Sequence, residues 1–113
     1  GQKSKARNYA RQALKNNPNM GKAYLLIAGL YASSANACGA TEFEKRMVYT
    51  AALRKAQRAA AVDPSISRKA AKYIKNYRSQ EPSRTLLFTE TIAVGSSHRI
   101  KCWIGETVRV SKK

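Results

Sequence analysis

The sequence contains few acidic residues and no long apolar run. Six Asp and Glu stand against 22 Lys and Arg, so the 113-residue chain has a formal net charge of +16. No apolar run approaches the roughly 20 residues that a helix needs to span a bilayer, and the amino end does not resemble a signal peptide. The positive charge predicts attraction to phosphate, lipid headgroups or acidic protein surfaces. Basic solvated helix faces without a dedicated ligand are the alternative interpretation.

Residues that carry out chemistry are also scarce. His98 is the only histidine, and we expect it at a surface turn between strands. Two cysteines and one histidine at these spacings do not form a zinc-ligand set, and the glycines are isolated rather than grouped in a phosphate loop. The carboxylates offer no spare pair for acid–base catalysis. The sequence therefore predicts a protein that is not an enzyme and has no catalytic residue, cofactor, metal or small-molecule substrate.

One helical pattern occurs twice along the chain, displaced by 46 residues. Its members are Ala6, Ala10, Ala13 and Pro18, then Ala52, Ala56, Ala59 and Pro64. Small residues at intervals of four and three line one helical face, where a second helix can approach closely. Each proline fits a first helical position behind a cap, Asn17 or Asp63. Two helices of one kind are predicted.

A second pattern follows each proline at matching offsets. It comprises Tyr24, Ile27, Ala28 and Tyr31, then Ala70, Tyr73, Ile74 and Tyr77. The two patterns together predict helices over about 3–16, 18–34, 41–61 and 65–79. Thr41 and Glu44 have the spacing of a capping box, so a helix should begin there and residues 32–40 should form a loop.

These patterns over residues 3–79 resemble the tetratricopeptide repeat. "YLLIAGLY" is similar to its first-helix signature, and the alanines with Pro64 to its second helix, although Ala56 stands where a larger aromatic is usual. The period of 46 exceeds the usual length of about 34 residues, which implies an enlarged turn at 32–40. The resemblance implies a mainly α fold, with residues 1–82 forming a half repeat, a full repeat and a capping helix. An unrelated helical bundle is the alternative.

Residues 83–113 change to a strand pattern. "TLLFTETIAV", "SSHRIKCWI" and "ETVRV" are short runs rich in β-branched and aromatic residues, punctuated by Gly95 and Gly105. We expect a β-hairpin or three-stranded antiparallel unit that covers the end of the helices. Alternation places Cys102 on the same strand face as Ile100 and Ile104.

Cys38 in the predicted helix-hairpin loop and Cys102 on the predicted strand suit a disulfide that ties the β unit to the helices. Closing a loop of this length would stabilise the fold by about 4 kcal/mol in the chain-entropy model. Two reduced thiols in a cytosolic protein are the alternative.

The segments around the cysteines resemble a group of tetratricopeptide-type proteins of gram-negative envelopes, with a "CG-x-x-EF-x-KR" loop and a "CWI-x-ET" strand. The matching residues are Cys38, Gly39, Glu42, Phe43, Lys45, Arg46, Cys102, Trp103, Ile104, Glu106 and Thr107. This resemblance implies an exported, periplasmic or envelope location, for which a cytoplasmic one is the alternative. The positive charge here is stronger than is usual in that group.

The predicted function is protein–protein interaction in an exported envelope assembly. The resemblance implies a groove lined by the first helix of each repeat, which assigns it Lys22, Leu25, Gly29, Arg68, Ala71, Lys75 and Arg78. We expect the cations Lys22, Arg68, Lys75 and Arg78 to bind acidic or carboxylate-bearing protein partners, or other subunits of the complex. Binding of nucleic acid is the rival interpretation.

The chain opens with a predicted helix of the second kind, which has no first-kind partner before it. Its small-residue face should therefore be unpaired, and we expect upstream repeats or a second subunit to pack there. Under this interpretation the chain is the carboxy-terminal part of a longer protein.

Overall fold

The computed structural model describes residues 1–113 and is mainly helical, as the sequence predicts. The elements are α1 (Gln2–Asn16), α2 (Gly21–Ala32), α3 (Ala35–Cys38), α4 (Glu42–Val62), a 3-10 turn (Pro64–Ile66), α5 (Ser67–Ser79), α6 (Arg84–Thr89), β1 (Ser97–Arg99) and β2 (Thr107–Arg109). None of the helices has both the length and the apolar character needed to cross a membrane.

Helix α4 forms the centre of the core, packed between α2 and α5. Its predicted alanine stripe, Ala52, Ala56 and Ala59, has no exposed surface, and neither has Ala28 of α2. Small side chains at these contacts bring the helix axes close together, so larger neighbours such as Tyr31 can fill the remaining space. The sequence prediction of close helix packing along this stripe is confirmed.

Helix starts follow local side-chain chemistry. Thr41 accepts a hydrogen bond from the Glu44 amide at 3.1 Å while Glu44 accepts from the Thr41 amide, so the predicted capping box is confirmed. Asp63 accepts from the Ser65 amide and Pro64 opens the 3-10 turn, so α5 itself begins two residues later than predicted.

The predicted start of the second helix at Pro18 is wrong. Helix α2 begins at Gly21, and its first amide donates 3.0 Å to the carboxylate of Asp63 rather than to Asn17. A Cβ atom at Gly21 would lie only 2.7 Å from atoms of Asp63 and Ile66. The start of α2 is therefore fixed by close approach to the α4–α5 junction, a contact between residues distant in sequence.

The stretch predicted as a loop, residues 32–40, contains the short helix α3. Gly39 follows it, where an added Cβ would lie 2.5 Å from the backbone nitrogen of Lys45. This close passage lets the chain turn directly into the capping box of α4.

Of the two predicted forms of the β unit, the two-stranded antiparallel pair is present and the three-stranded form is not. "TLLFTETIAV" begins as helix α6, because Ser83 caps it by accepting from the Leu86 amide at 3.0 Å. Only β1 and β2 pair, antiparallel, with His98 opposite Val108. Cys102 lies in a bend after β1 and not on a strand, although Ile100 and Ile104 on either side of it are buried as expected.

Candidate functional site

The two cysteines form a disulfide, Cys38–Cys102, and no cysteine is free. The bond joins the end of α3 to residues 102–106, which we call the clasp segment. Because both sulfur atoms are bonded to each other, neither serves as a nucleophile or a metal ligand. The predicted disulfide is confirmed, and it fastens the clasp segment to the helices.

Arg7, a buried arginine of α1, donates hydrogen bonds to the clasp segment. One terminal nitrogen of Arg7 donates to the Ile104 carbonyl at 2.7 Å and to the Tyr31 hydroxyl at 3.0 Å. The other donates to the Trp103 carbonyl at 3.1 Å, and the guanidinium lies 5.0 Å from the centre of the Trp103 indole. Sequence analysis missed Arg7, because its acceptors are backbone carbonyls almost a hundred residues away.

Glu106 completes this network. Its carboxylate accepts from the Tyr31 hydroxyl and lies 3.4 Å from cationic nitrogens of Arg11 and Lys55. Burial, reinforced by the hydrogen bond to Glu106, raises the pKa of Tyr31 to about 12. The indole nitrogen of Trp103 donates to Ser34 at 3.1 Å. The clasp segment thus contacts α1, α2 and α4, and the carboxylate of Glu106 is paired with side chains of these helices.

The face of α1 predicted to be unpaired is covered in part by the rest of the chain. Ala10 is only 4% exposed, and Arg7 lies against the clasp segment. The side of α1 that faces solvent is polar, apart from Tyr9, which is 66% exposed. Ala6 and Ala13, the other two alanines of this face, are half-buried.

His98 lies within β1, half-buried, and not at the predicted surface turn. Its ring meets the edge of Phe43 with the centroids 5.1 Å apart. Burial lowers the pKa of His98, Lys101 lowers it further, and Glu44 opposes both. Edge contact with Phe43 is typical of a packing residue.

Five of the six carboxylates have partners inside the fold. Glu42 pairs with Arg46, Glu44 and Asp63 cap helices, and Glu106 joins the clasp network. Glu81, 3% exposed, accepts from the hydroxyls of Thr50 and Ser111. The chain therefore has almost no free negative charge to neutralise its surface cations.

Several cations without a carboxylate partner lie together on α5. Only Arg11, Arg46 and Lys55 form ion pairs with carboxylates. Helix α5 contains no acidic residue, and its apolar side is packed on α4 through Ala70 and Tyr77. Five cations occupy its exposed side, which we call the α5 face: Arg68, Lys69, Lys72, Lys75 and Arg78.

Beside the α5 face runs a groove between α2 and α5, with a volume of about 390 Å³. Its lining, which defines the α2–α5 groove, is Lys22, Leu25, Leu26, Gly29, Leu30, Lys69 and Tyr73. Three predicted groove residues, Lys22, Leu25 and Gly29, come together here. Four lining residues were missed: Leu26, Leu30, Lys69 and Tyr73. They form two pairs spaced four residues apart, so the members of each pair lie on adjacent turns of one helix.

The remaining predicted residues lie apart from this groove. Lys75, Arg78 and Ala71 line a second cleft of about 490 Å³ that Lys113 also borders. Arg68 is exposed on the first turn of α5 and lines neither cleft. The single predicted groove is therefore two openings along one basic helix.

This arrangement of charge suits the binding of anions. Exposed cations lie next to an apolar groove, while the histidine and the cysteines are engaged in packing and in the disulfide. Comparisons of the chain with protein-family models, with curated proteins and with solved structures found no match.

Proposed function

We propose that this protein is a protein–protein interaction module, acting as a scaffold, that binds an acidic segment of its partner. The observation that carries the proposal is the α5 face, where five exposed cations lie on one helix without a carboxylate. Unpaired Lys and Arg donate charge-assisted hydrogen bonds to carboxylates, and their summed field attracts an acidic partner.

An acidic protein segment fits this surface better than nucleic acid does. The α2–α5 groove has an apolar floor, which favours an occupant with apolar as well as charged side chains. Bases could stack on an exposed aromatic ring, but Tyr73, the one aromatic residue that lines the groove, is half-buried and packed against Tyr77.

The disulfide supports the proposal that the protein acts in an exported, oxidising location such as an envelope, because disulfides are rare in the cytosol. The four long helices are α1, α2, α4 and α5, and α4 packs between α2 and α5. This packing of two helix types in alternation supports a tetratricopeptide-like arrangement. In such an arrangement α2 and α5 are the first-kind helices, which line the binding groove.

The test compares two charge-reversal variants that have the same net charge. One carries Lys69→Glu, Lys72→Glu and Lys75→Glu on the α5 face. The other carries Lys5→Glu, Lys15→Glu and Arg58→Glu, exposed cations of α1 and α4 with no ion-pair partner. Binding of a labelled glutamate-rich peptide is measured by fluorescence anisotropy across a salt series.

We expect the α5 variant to lose at least about tenfold in affinity relative to the control variant, with a shallower salt dependence. Equal losses in both variants would show that net charge alone drives binding and would contradict the proposal. A single-stranded oligonucleotide of matched charge is the second probe. If the oligonucleotide binds about tenfold more tightly than the peptide at physiological salt, the result would favour the nucleic-acid alternative.

A further inference from the structure

Gly29 of α2 is not required by the protein's own packing. A Cβ atom added at Gly29 would meet no atom within 4 Å, whereas one added at Gly21 of the same helix would collide with Asp63 and Ile66. Glycine inside a helix is less favourable than alanine, because it loses more conformational freedom on folding. The fold therefore explains Gly21 and leaves the space above Gly29 open.

The open space above Gly29 is bounded by apolar side chains. Leu26 is 50% exposed, one of four large apolar residues that the fold leaves exposed, and it lies one turn before Leu30 on the same groove. Leu25 and Tyr73 form deeper, largely covered parts of the lining. Water above these groups gains few hydrogen bonds, so an apolar side chain would displace it favourably.

Two lysines from different helices border the same groove. Lys22 lies on the first turn of α2 and Lys69 near the start of α5, and neither forms an ion pair. No carboxylate lines the groove. An occupant that combines an apolar side chain with nearby carboxylates would match this lining.

We infer that the α2–α5 groove takes one large apolar side chain of the acidic partner segment above Gly29, with carboxylates of the neighbouring segment paired to Lys22 and Lys69. This inference rests on the proposed function and adds a specificity that charge alone does not give. The apolar side chain selects one position along an acidic segment, while the lysines hold the flanking chain.

The experiment uses two synthetic peptides and the full chain. Both peptides are glutamate-rich and differ only at the central residue, leucine in one and serine in the other. With the wild-type protein we expect the leucine peptide to bind about tenfold more tightly. In Gly29→Leu the new side chain fills the open space, so the affinity for the leucine peptide should fall to that for the serine peptide. The affinity for the serine peptide should stay as in the wild type.

Two further variants control for other effects of the substitution. Ala61→Leu adds the same side chain at an exposed site of α4 and should leave both affinities as in the wild type. Gly29→Ala adds only a methyl group and should reduce the leucine preference in part. Thermal unfolding of each variant should show no loss of stability, because leucine and alanine favour a helix more than glycine does.

Each outcome separates the inference from the proposed function. Equal binding of the two peptides by the wild type, or a leucine preference that survives Gly29→Leu, overturns the inference and leaves the acidic-partner proposal standing. Failure of both peptides to bind overturns both proposals. Loss of the preference in Gly29→Leu alone is the result that supports the inference.

Discussion

The clasp segment and the α5 face show how differently the same residue types are used at two places in one small protein. At the clasp segment, Arg7 is buried and each of its terminal nitrogens donates hydrogen bonds, and Glu106 is shared by Arg11 and Lys55. On the α5 face, none of the exposed cations forms an ion pair with a carboxylate. The charges of the first region stabilise the fold, and those of the second remain available to a partner.

This difference explains why a net charge of +16 is compatible with a compact fold. Repulsion among cations is reduced where a carboxylate or carbonyl is within reach, and it is tolerated on α5 because those side chains extend into water. Changes at the clasp segment should therefore alter stability more than binding. Changes on the α5 face should do the reverse.

Removing the disulfide should have the largest effect on stability. In Cys38→Ser/Cys102→Ser we expect the free energy of unfolding to fall by about 4 kcal/mol, because the bond closes a long loop between α3 and the clasp segment. Urea unfolding followed by circular dichroism measures this. A loss below about 1 kcal/mol would show that the clasp segment is held by Arg7 and packing alone.

Replacing Arg7 should have the next largest effect. Arg7→Met keeps much of the volume but removes three donated hydrogen bonds, leaving buried carbonyls of Trp103 and Ile104 without partners. We expect a loss of about 3 kcal/mol by urea unfolding. The matched control is Arg58→Met at an exposed position of α4, which should change stability by less than about 0.5 kcal/mol. Equal effects would contradict the assigned role of Arg7.

The two glycines of α2 should respond in opposite directions to alanine. Gly21→Ala should destabilise by about 1–2 kcal/mol, since the new methyl group would overlap Asp63 and Ile66. Gly29→Ala should stabilise by about 0.5–1 kcal/mol, since it faces open space. Thermal unfolding of the two variants checks this, and destabilisation by both would show that Gly29 is packed in solution.

The smallest effect concerns pH. Because burial lowers the pKa of His98 in the folded state, the unfolded chain takes up a proton more readily. The stability contributed by neutral His98 is present above the ordinary histidine pKa of about 6.5 and is lost as pH falls from there to the folded value.

Comparison with His98→Phe isolates this effect, because the two proteins have the same carboxylates. The unfolding free energy of the wild type minus that of His98→Phe should decrease as pH falls between about 7.5 and about 5, because only the wild type loses this contribution. A difference that is constant over that range would mean that His98 is solvated in the folded state.

Local signals in the sequence were sufficient for part of this structure. The alanine stripes, the Thr41 capping box and the cap at Asp63 predicted most of α1, α4 and α5. These features depend on residues within a few positions of each other, so their physical causes are visible in the sequence. The pairing of the disulfide followed from the sequence, because only two cysteines exist, whereas the formation of the bond was one of two alternatives.

Features decided by distant contacts could not be predicted. Helix α2 starts where Asp63, forty-two residues later, accepts from the Gly21 amide. The buried position of Arg7 depends on hydrogen bonds to carbonyl groups of the clasp segment. The β-branched residues around Thr89 predicted a strand, whereas Ser83 caps a helix there. In the candidate groove, Lys22, Leu25 and Gly29 were predicted, whereas Lys69 and Tyr73 depend on how α5 sits beside α2.

The central claim is that the charges of the clasp segment stabilise the fold, whereas those of the α5 face bind a partner. Its most direct test is to titrate the isotopically labelled protein with the glutamate-rich leucine peptide and to monitor the backbone amide chemical shifts. The account predicts that shift changes concentrate in residues 22–30 of α2 and 68–76 of α5, with α1 and the clasp segment unaffected. Changes centred on α1 or the clasp segment, or none at saturating peptide, would contradict it.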